Sequence, residues 1–298
     1  MRGTIILLTP ENTVIGFIGT GVMGKSMAGH LLKAGYPLMV YSRTKEKAAE
    51  LLESGAMWAN SPKEMAEKAS VIFTMVGYPN DVEEIYLGED GLIRHGQRGS
   101  FFIDMTTSAP SLAVKIYEEA LKHEIHVIDA PVSGGDIGAR EAKLSIMAGG
   151  AKETFEAVRP LLGYLGTNIV YQGNPGAGQH TKMCNQIAIA SNMMGVCEAI
   201  VYAEKAGLDP EKVLKSITTG AAGSWSLSNL APRMLHGDFE PGFYIKHFIK
   251  DMKIALDEAE LMGIEFPGLS LAKSLYYLLA EKGEGNSGTQ ALYKYWNN

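Results

Sequence analysis

The stretch from Thr13 to Leu32 constrains the fold of this chain more than any other. A short β-rich apolar run, Thr13 to Ile18, is followed at once by Gly19, Thr20, Gly21, Val22, Met23 and Gly24, and these open the helical spacing Met27, Leu31, Leu32. Strand, glycine turn and helix in this order are what a dinucleotide-binding unit requires. The spacing assigns Gly19 to the tight turn, Gly21 to close approach of a pyrophosphate, and Gly24 to packing of helix on strand. Unsatisfied N–H groups and the dipole at the helix start would receive phosphates. All six residues, Gly19 to Gly24, are therefore expected to contact a cofactor.

A second strand, residues 37–41, ends at Ser42, Arg43 and Thr44, with Lys45 and Lys47 close behind. The dinucleotide fold usually places here an acid that grips the ribose 2′-hydroxyl of NAD. This chain has none. An arginine, two hydroxyls and lysines suit a 2′-phosphate by charge-assisted hydrogen bonding, so NADP is favoured over NAD.

Strand and helix signals then alternate. Strands are expected at 71–76, 100–104, 126–129, 144–148 and 168–171, and helices near 46–52, after Pro79 and after Pro110. Connections of this length imply right-handed crossovers and a parallel sheet covered on both faces, with ligands beyond the carboxyl ends of the strands. Val76, Gly77, Thr106 and Thr107 occupy such ends and are candidates for the nicotinamide half of the cofactor. Ser133, Gly134 and Gly135 follow the strand that ends at Asp129. A hydroxyl beside two glycine N–H groups is able to hold a carboxylate without a formal charge.

From Gly178 onward strand signals cease, and helices are expected at 179–205, 209–218, 227–235, 248–262 and 269–282, separated by Gly, Pro or Asp. The composition divides the chain into residues 13–175 and an all-helical 176–298 that begins with a long inter-domain helix. The expected class is α/β: a Rossmann-type, doubly wound, mostly parallel sheet followed by an all-helical C-terminal domain. Residues 187–201 are apolar nearly all round, which is the mark of a buried helix.

The long helix carries Lys182 and Asn185 near its start. Three residues apart, they share a helix face and offer one small molecule a proton donor and a hydrogen-bonding amide. Hydride delivery to a carbonyl builds negative charge on oxygen, which a positioned ammonium stabilises while donating the proton. Lys182 is thus the candidate catalytic acid. His180, two residues earlier, points elsewhere on the helix. The seven histidines show neither H-x-x-x-H spacing nor company with a C-x-x-C pair, so no metal is expected. Pocket size is expected to depend on the helical half, with Trp225, Phe243 and Phe248 as candidates.

Composition bounds the partners. With a net charge of −6 and 20% charged residues, the chain has no general attraction for nucleic acid, which calls for clustered Lys and Arg. No window approaches the roughly 20 apolar residues of a membrane span, and the amino terminus lacks a signal-peptide core. Cys184 and Cys197 stand about 20 Å apart along one helix at ~1.5 Å rise per residue. They do not bridge each other, and a reducing cytoplasm is expected.

In combination these motifs are specific. Residues 16–24, residues 129–135, the pattern Gly173-x-x-Gly176-x-Gly178-x-x-x-Lys182-x-x-Asn185, and the pair Lys250-Asp251 resemble the β-hydroxyacid dehydrogenases, the group containing 3-hydroxyisobutyrate dehydrogenase, tartronate semialdehyde reductase and the glyoxylate/succinic semialdehyde reductases. The likeness extends from Val14 on. It implies that Lys182 is the general acid/base, that Ser133, Gly134, Gly135 and Asn185 bind the substrate's carboxylate and hydroxyl, and that Lys250 closes over substrate and cofactor. Val76 and Thr107 match cofactor-contact positions. Gln186 stands where the family often has a second amide, so Asn185 and Gln186 both remain candidates, and Gly77 replaces a common proline. Residues 1–12 have no counterpart. The resemblance also implies a homodimer or homotetramer paired through the helical half. Two alternatives share the architecture: an imine reductase, which usually lacks the lysine, and a non-catalytic nucleotide-binding protein.

Overall fold

The computed structural model describes residues 7–297, so part of the unmatched leader, residues 1–6, lies outside the described chain. Internal packing divides the chain into two compact units, one through Lys182 and one from Met183. The division falls inside the long helix, after the candidate catalytic lysine.

The first unit is built on a nine-stranded sheet in the order β3-β2-β1-β4-β5-β6-β8-β7, with β9 paired to β8. Its strands are β1 (Ile15–Ile18), β2 (Leu38–Tyr41), β3 (Met57–Trp58), β4 (Val71–Thr74), β5 (Phe101–Asp104), β6 (His126–Asp129), β7 (Val132–Ser133), β8 (Leu144–Gly150) and β9 (Gly166–Gly173). All pairings from β3 across to β6 are parallel, whereas β8 runs antiparallel to β6 and β7. The carboxyl ends of β1, β2, β4, β5 and β6 therefore share one edge. Helices α1 (Val22–Lys33), α2 (Ala49–Glu53), α3 (Pro62–Lys68), α4 (Pro79–Leu87), α5 (Leu92–His95), α6 (Pro110–Lys122), α7 (Gly135–Arg140) and α8 (Lys152–Leu162) connect the strands.

Both faces of the sheet are buried, and the period of two along each strand sorts its residues between them. Ile15, Phe17, Val40, Phe73 and Ile103 enter one core with Met27 and Leu31 of α1. Ile18, Met39, Ile72 and Phe102 enter the other with Met65 of α3, Tyr86 of α4 and Ile116 of α6. Phe17 and Phe73, register partners in β1 and β4, stack at 6.0 Å. Gly16 explains how α3 sits so close, because a Cβ there would lie 2.5 Å from the Met65 sulfur.

Helix α9 (Ala177–Lys205) spans the division, and α10 (Pro210–Ile217), α11 (Trp225–Asn229), α12 (Ala231–Leu235), α13 (Ile245–Leu261), α14 (Pro267–Glu281) and α15 (Lys294–Asn297) complete the second unit. The single helix expected at 227–235 is two, because Pro232 has no N–H and the chain restarts at Leu230. Phe248 is not a pocket wall: it is fully buried with its ring 5.1 Å from that of Tyr276, and Trp225 is 64% exposed.

Two expectations for α9 need correction. It buries one stripe, Ala190, Met193, Cys197 and Ile200, and leaves Ile187 and Ile189 half-exposed and Tyr202 exposed, so it is not buried all round. With 29 residues and an 18-residue window of mean hydropathy 1.2, it is also long and apolar enough to cross a membrane. The core helix of a water-soluble protein passes the same test by length and composition, and 39% of that window of α9 is buried.

Candidate active site

The glycine turn is dictated by contact. Gly19 has φ +96°, and a Cβ on it would lie 2.1 Å from the Met75 carbonyl oxygen. A Cβ on Gly24 would lie 1.8 Å from the Gly19 carbonyl oxygen and 3.1 Å from the Phe17 ring, which is the close helix–strand packing expected of it. Gly21 differs: nothing of the protein lies within 4 Å of its would-be Cβ. It begins α1, which has no side-chain cap and no acid in its first turn. The Thr20 hydroxyl beside it is buried without a protein partner. Open space over Gly21, uncapped N–H groups and an orphan hydroxyl fit a pyrophosphate. Val22 is exposed and Met23 half-buried on the same turn.

At the end of β2, Arg43 is exposed and donates from Nη1 to Asp81 Oδ1 at 3.1 Å. Asp81 is in the first turn of α4, so the guanidinium reaches toward the connection after β4. The other Asp81 oxygen is buried with no hydrogen-bond partner. Ser42 is half-buried and Thr44 exposed.

A buried polar network braces the ends of β4 and β5. The Thr74 hydroxyl donates to Asp104 Oδ1 at 2.8 Å and lies 3.0 Å from the Tyr86 hydroxyl. The Thr106 N–H donates to the same Asp104 oxygen at 3.0 Å, and the Thr106 hydroxyl accepts from the Val76 N–H at 3.0 Å. Burial pushes the Asp104 carboxyl up to about 6, against the pull of its hydrogen bonds, with the Asp129 charge adding to the rise. Thr106 is thereby committed to structure, and Gly77 and Thr107 are half-buried at the edge.

Past β6, Gly134 and Gly135 both adopt positive φ, +130° and +63°, a region that glycine enters without the penalty of a Cβ. They lead into the short helix α7, with Ser133 half-buried before them. The stretch is more than exposed backbone donors, because Gly135–Arg140 form α7, which no local sequence period announces.

The start of α9 is bound tightly to the sheet. Asp129 Oδ1 accepts from the Gly176 N–H at 2.8 Å, and Oδ2 accepts from the Gln179 N–H at 2.8 Å. The Gln179 side chain donates to the Thr106 carbonyl at 2.7 Å and accepts from the Ser108 N–H at 2.9 Å. Lys182, on the next turn, is only 7% exposed, and His180 is exposed.

In the second unit Asn185 donates to Gln186 Oε1 at 2.7 Å, Gln186 donates to Asp251 Oδ2 at 2.6 Å, and Lys250 Nζ lies 3.0 Å from Asp251 Oδ1. That last contact has ion-pair distance without hydrogen-bond alignment. Gln186 and Asp251 are buried and Asn185 is half-buried. Both ends of the Gln186 amide are thus occupied by neighbours, which distinguishes it from Asn185. No three His, Cys, Asp or Glu side chains gather as a metal set among the described residues.

Asp129, Gln179 and Asp251 belong to motifs visible in the sequence, yet their contacts were not foreseen. An acid at a strand end and an amide one turn before a lysine carry no spacing rule that names their partners.

Comparison with known proteins finds relatives along most of the chain. A family model described as the NAD binding domain of 6-phosphogluconate dehydrogenase matches residues 14–173, and one described as NAD-binding of NADP-dependent 3-hydroxyisobutyrate dehydrogenase matches residues 176–296. The chain is 66% identical over 282 residues to the uncharacterized oxidoreductase YkwC of Bacillus subtilis, covering 95% of this chain and 98% of that one. It is 37% identical over 278 residues to 2-hydroxy-3-oxopropionate reductase of Escherichia coli, covering 93% and 95%. A solved 3-hydroxyisobutyrate dehydrogenase of Mycobacterium tuberculosis, with L-serine, superposes with a TM-score of 0.87 at 29% identity, covering 95% and 98%.

Proposed function

The chain belongs to the β-hydroxyacid dehydrogenase family, nicotinamide-dependent oxidoreductases of small hydroxy acids, and within it we propose that this protein is an NADP(H)-linked reductase of a short aldehyde acid. Substrates in view are glyoxylate and the semialdehydes, with the matching hydroxy acids, 3-hydroxyisobutyrate type included, in reverse. The observation that carries the proposal is Lys182: a lysine buried to 7% exposure on the turn after the one tied to the carboxyl edge of a dinucleotide-binding sheet.

The cofactor is held at its pyrophosphate by Gly19 to Gly24, at its adenosine end by Ser42, Arg43 and Thr44, and farther along by Val76, Gly77, Thr107 and Lys250. When bound, it supplies the hydride in reduction and accepts it in oxidation. Lys182 Nζ donates a proton to the carbonyl oxygen as negative charge builds there, and takes the hydroxyl proton in reverse. The Ser133 hydroxyl and the Gly134 and Gly135 N–H groups take the carboxylate. Of the two adjacent amides, Asn185 is assigned to the substrate, because Gln186 is committed to Asp251 and Asn185. By the family resemblance, Lys250 is assigned to substrate and cofactor.

Lys182→Ala is expected to lower kcat by about 10²–10⁴, the usual worth of a positioned acid, with NADPH binding intact; undiminished turnover sinks the assignment. Equal or better turnover with NADH than with NADPH sinks the role of Arg43.

Tyr202, Leu271 and Tyr277 of the helical unit are exposed at 74%, 55% and 54%, and these exposed apolar side chains support pairing as a homodimer or homotetramer. Light scattering on the purified chain distinguishes these from a monomer.

A further inference from the structure

Within the first unit, three loops carry candidate site residues: Thr107 after β5, Ser133 to Gly135 beyond β6, and the start of α9 with Lys182. Two side chains outside the assigned set join them. The Asp129 carboxylate, at the end of β6, accepts the Gly176 and Gln179 N–H groups, each at 2.8 Å. The fully buried Gln179 amide donates to the Thr106 carbonyl at 2.7 Å and accepts from the Ser108 N–H at 2.9 Å. One amide therefore holds the main chain on both sides of Thr107, and its own N–H is held by Asp129.

Gln179 and Lys182 are three residues apart in α9, neighbours along the helix. The joint leaves no room for adjustment. A Cβ on Gly178 would lie 2.3 Å from the Met147 carbonyl oxygen, and one on Gly149 would lie 2.6 Å from the Gly178 nitrogen and 2.7 Å from Asp129 Oδ1. Backbone is pressed on backbone, so the position of the first α9 turns depends on these four hydrogen bonds and on steric fit.

We propose that Asp129 and Gln179 are a positioning pair that sets Lys182 in register with the Thr107 loop. The proposal rests on Lys182 being the proton donor. Neither residue needs to touch substrate; each acts through the main chain it fixes. Proton transfer demands hydrogen-bond reach between donor and acceptor, and a misplacement of ~1 Å costs on the order of 10²-fold in rate.

The test compares Gln179→Leu and Asp129→Asn with wild type and with Lys182→Ala. NADPH fluorescence titration counts binding sites, and steady-state reduction of glyoxylate and of succinic semialdehyde gives kcat per NADPH-binding site. Leu fills the space of the amide while making neither side-chain bond, and Asn keeps one carbonyl acceptor but turns an NH2 toward a backbone N–H. For both variants kcat per binding site is expected to fall by about 10–100-fold with the KM for the aldehyde acid changed by less than about threefold. A purely architectural role lowers the number of binding sites and leaves kcat per site unchanged, and that result overturns the proposal. If Gln179→Leu yields no soluble protein, Asp129→Asn decides on the same criterion. Turnover retained in Lys182→Ala removes the underlying assignment instead, so the two failures are told apart.

Discussion

The candidate site residues of the two units are arranged by different means. At the carboxyl edge of the first unit's sheet the main chain shapes the candidate site: Gly21 opens space, α1 begins without a side-chain cap, and Gly134 and Gly135 turn with positive φ. In the second unit the corresponding work falls to side chains, in the chain Asn185, Gln186, Asp251 and Lys250. Backbone sites depend on where a Cβ is forbidden, side-chain sites on how charges are compensated. Perturbing them should fail in different ways.

The largest effect is expected within the glycine turn itself. Gly24→Ala places a Cβ 1.8 Å from the Gly19 carbonyl oxygen, so α1 must leave the sheet, and little soluble protein is expected on expression. Gly21→Ala meets nothing and should preserve the melting temperature while weakening NADPH by at least about tenfold, ~1.4 kcal/mol. A Gly21→Ala protein that binds NADPH normally would remove the main chain's claim to the pyrophosphate.

In the second unit Asp251→Ala leaves the Gln186 amide and Lys250 without their buried counter-charge. Breaking a buried pair by removing one partner costs about 3–5 kcal/mol, to be read by urea denaturation. A loss below ~1 kcal/mol would place the network in the class of surface ion pairs.

Asp104 supplies a pH test of the first unit. Its folded pKa, about 6, stands above the ordinary aspartate value of 3.8 because of burial. The folded state therefore holds the proton more tightly, and stability present at pH below ~4 declines as pH rises toward 6. A shift of this size corresponds to roughly 2–3 kcal/mol at ~1.4 per unit. Asp104→Asn is expected to flatten the dependence between pH 4 and 6, since Oδ1 still accepts from Thr74 and Thr106. Denaturation profiles of wild type and variant that run parallel across this range would refute the assignment.

The smallest stability effect belongs to Arg43. Its side chain is 78% exposed in the pair with Asp81, and such pairs contribute at most about 1 kcal/mol. Arg43→Gln should leave the melting temperature unchanged and raise the KM for NADPH, with NADH unaffected. A larger loss of stability than of NADPH affinity would make the arginine a structural residue.

Much of the first unit was legible because its constraints are local. The glycine spacing after β1 and the prolines that open α4 and α6, Pro79 and Pro110, are read from adjacent residues, and the expected strand at 126–129 coincides with β6. Segments without a strong local period escaped. β3 has two residues, and α3 announces itself only through Ser61, which caps it by accepting from the Glu64 N–H. The amphipathic α8 was also passed over, although Phe155, Val158, Leu161 and Leu162 form its buried stripe.

The sequence by itself determined the nucleotide-binding class, the order of sheet before helices, and the candidates Lys182 and Asn185, because each follows from spacing within one segment; Lys250 came only from the family resemblance. The tertiary structure alone decided that Gln186 is spent on Asp251, that Arg43 meets Asp81, and that Asp129 and Gln179 hold the start of α9. Hydrogen-bond partners separated by 38 to 73 residues leave no periodicity in the chain; only the closing of the sheet and the packing of the helices bring them to 2.6–3.1 Å.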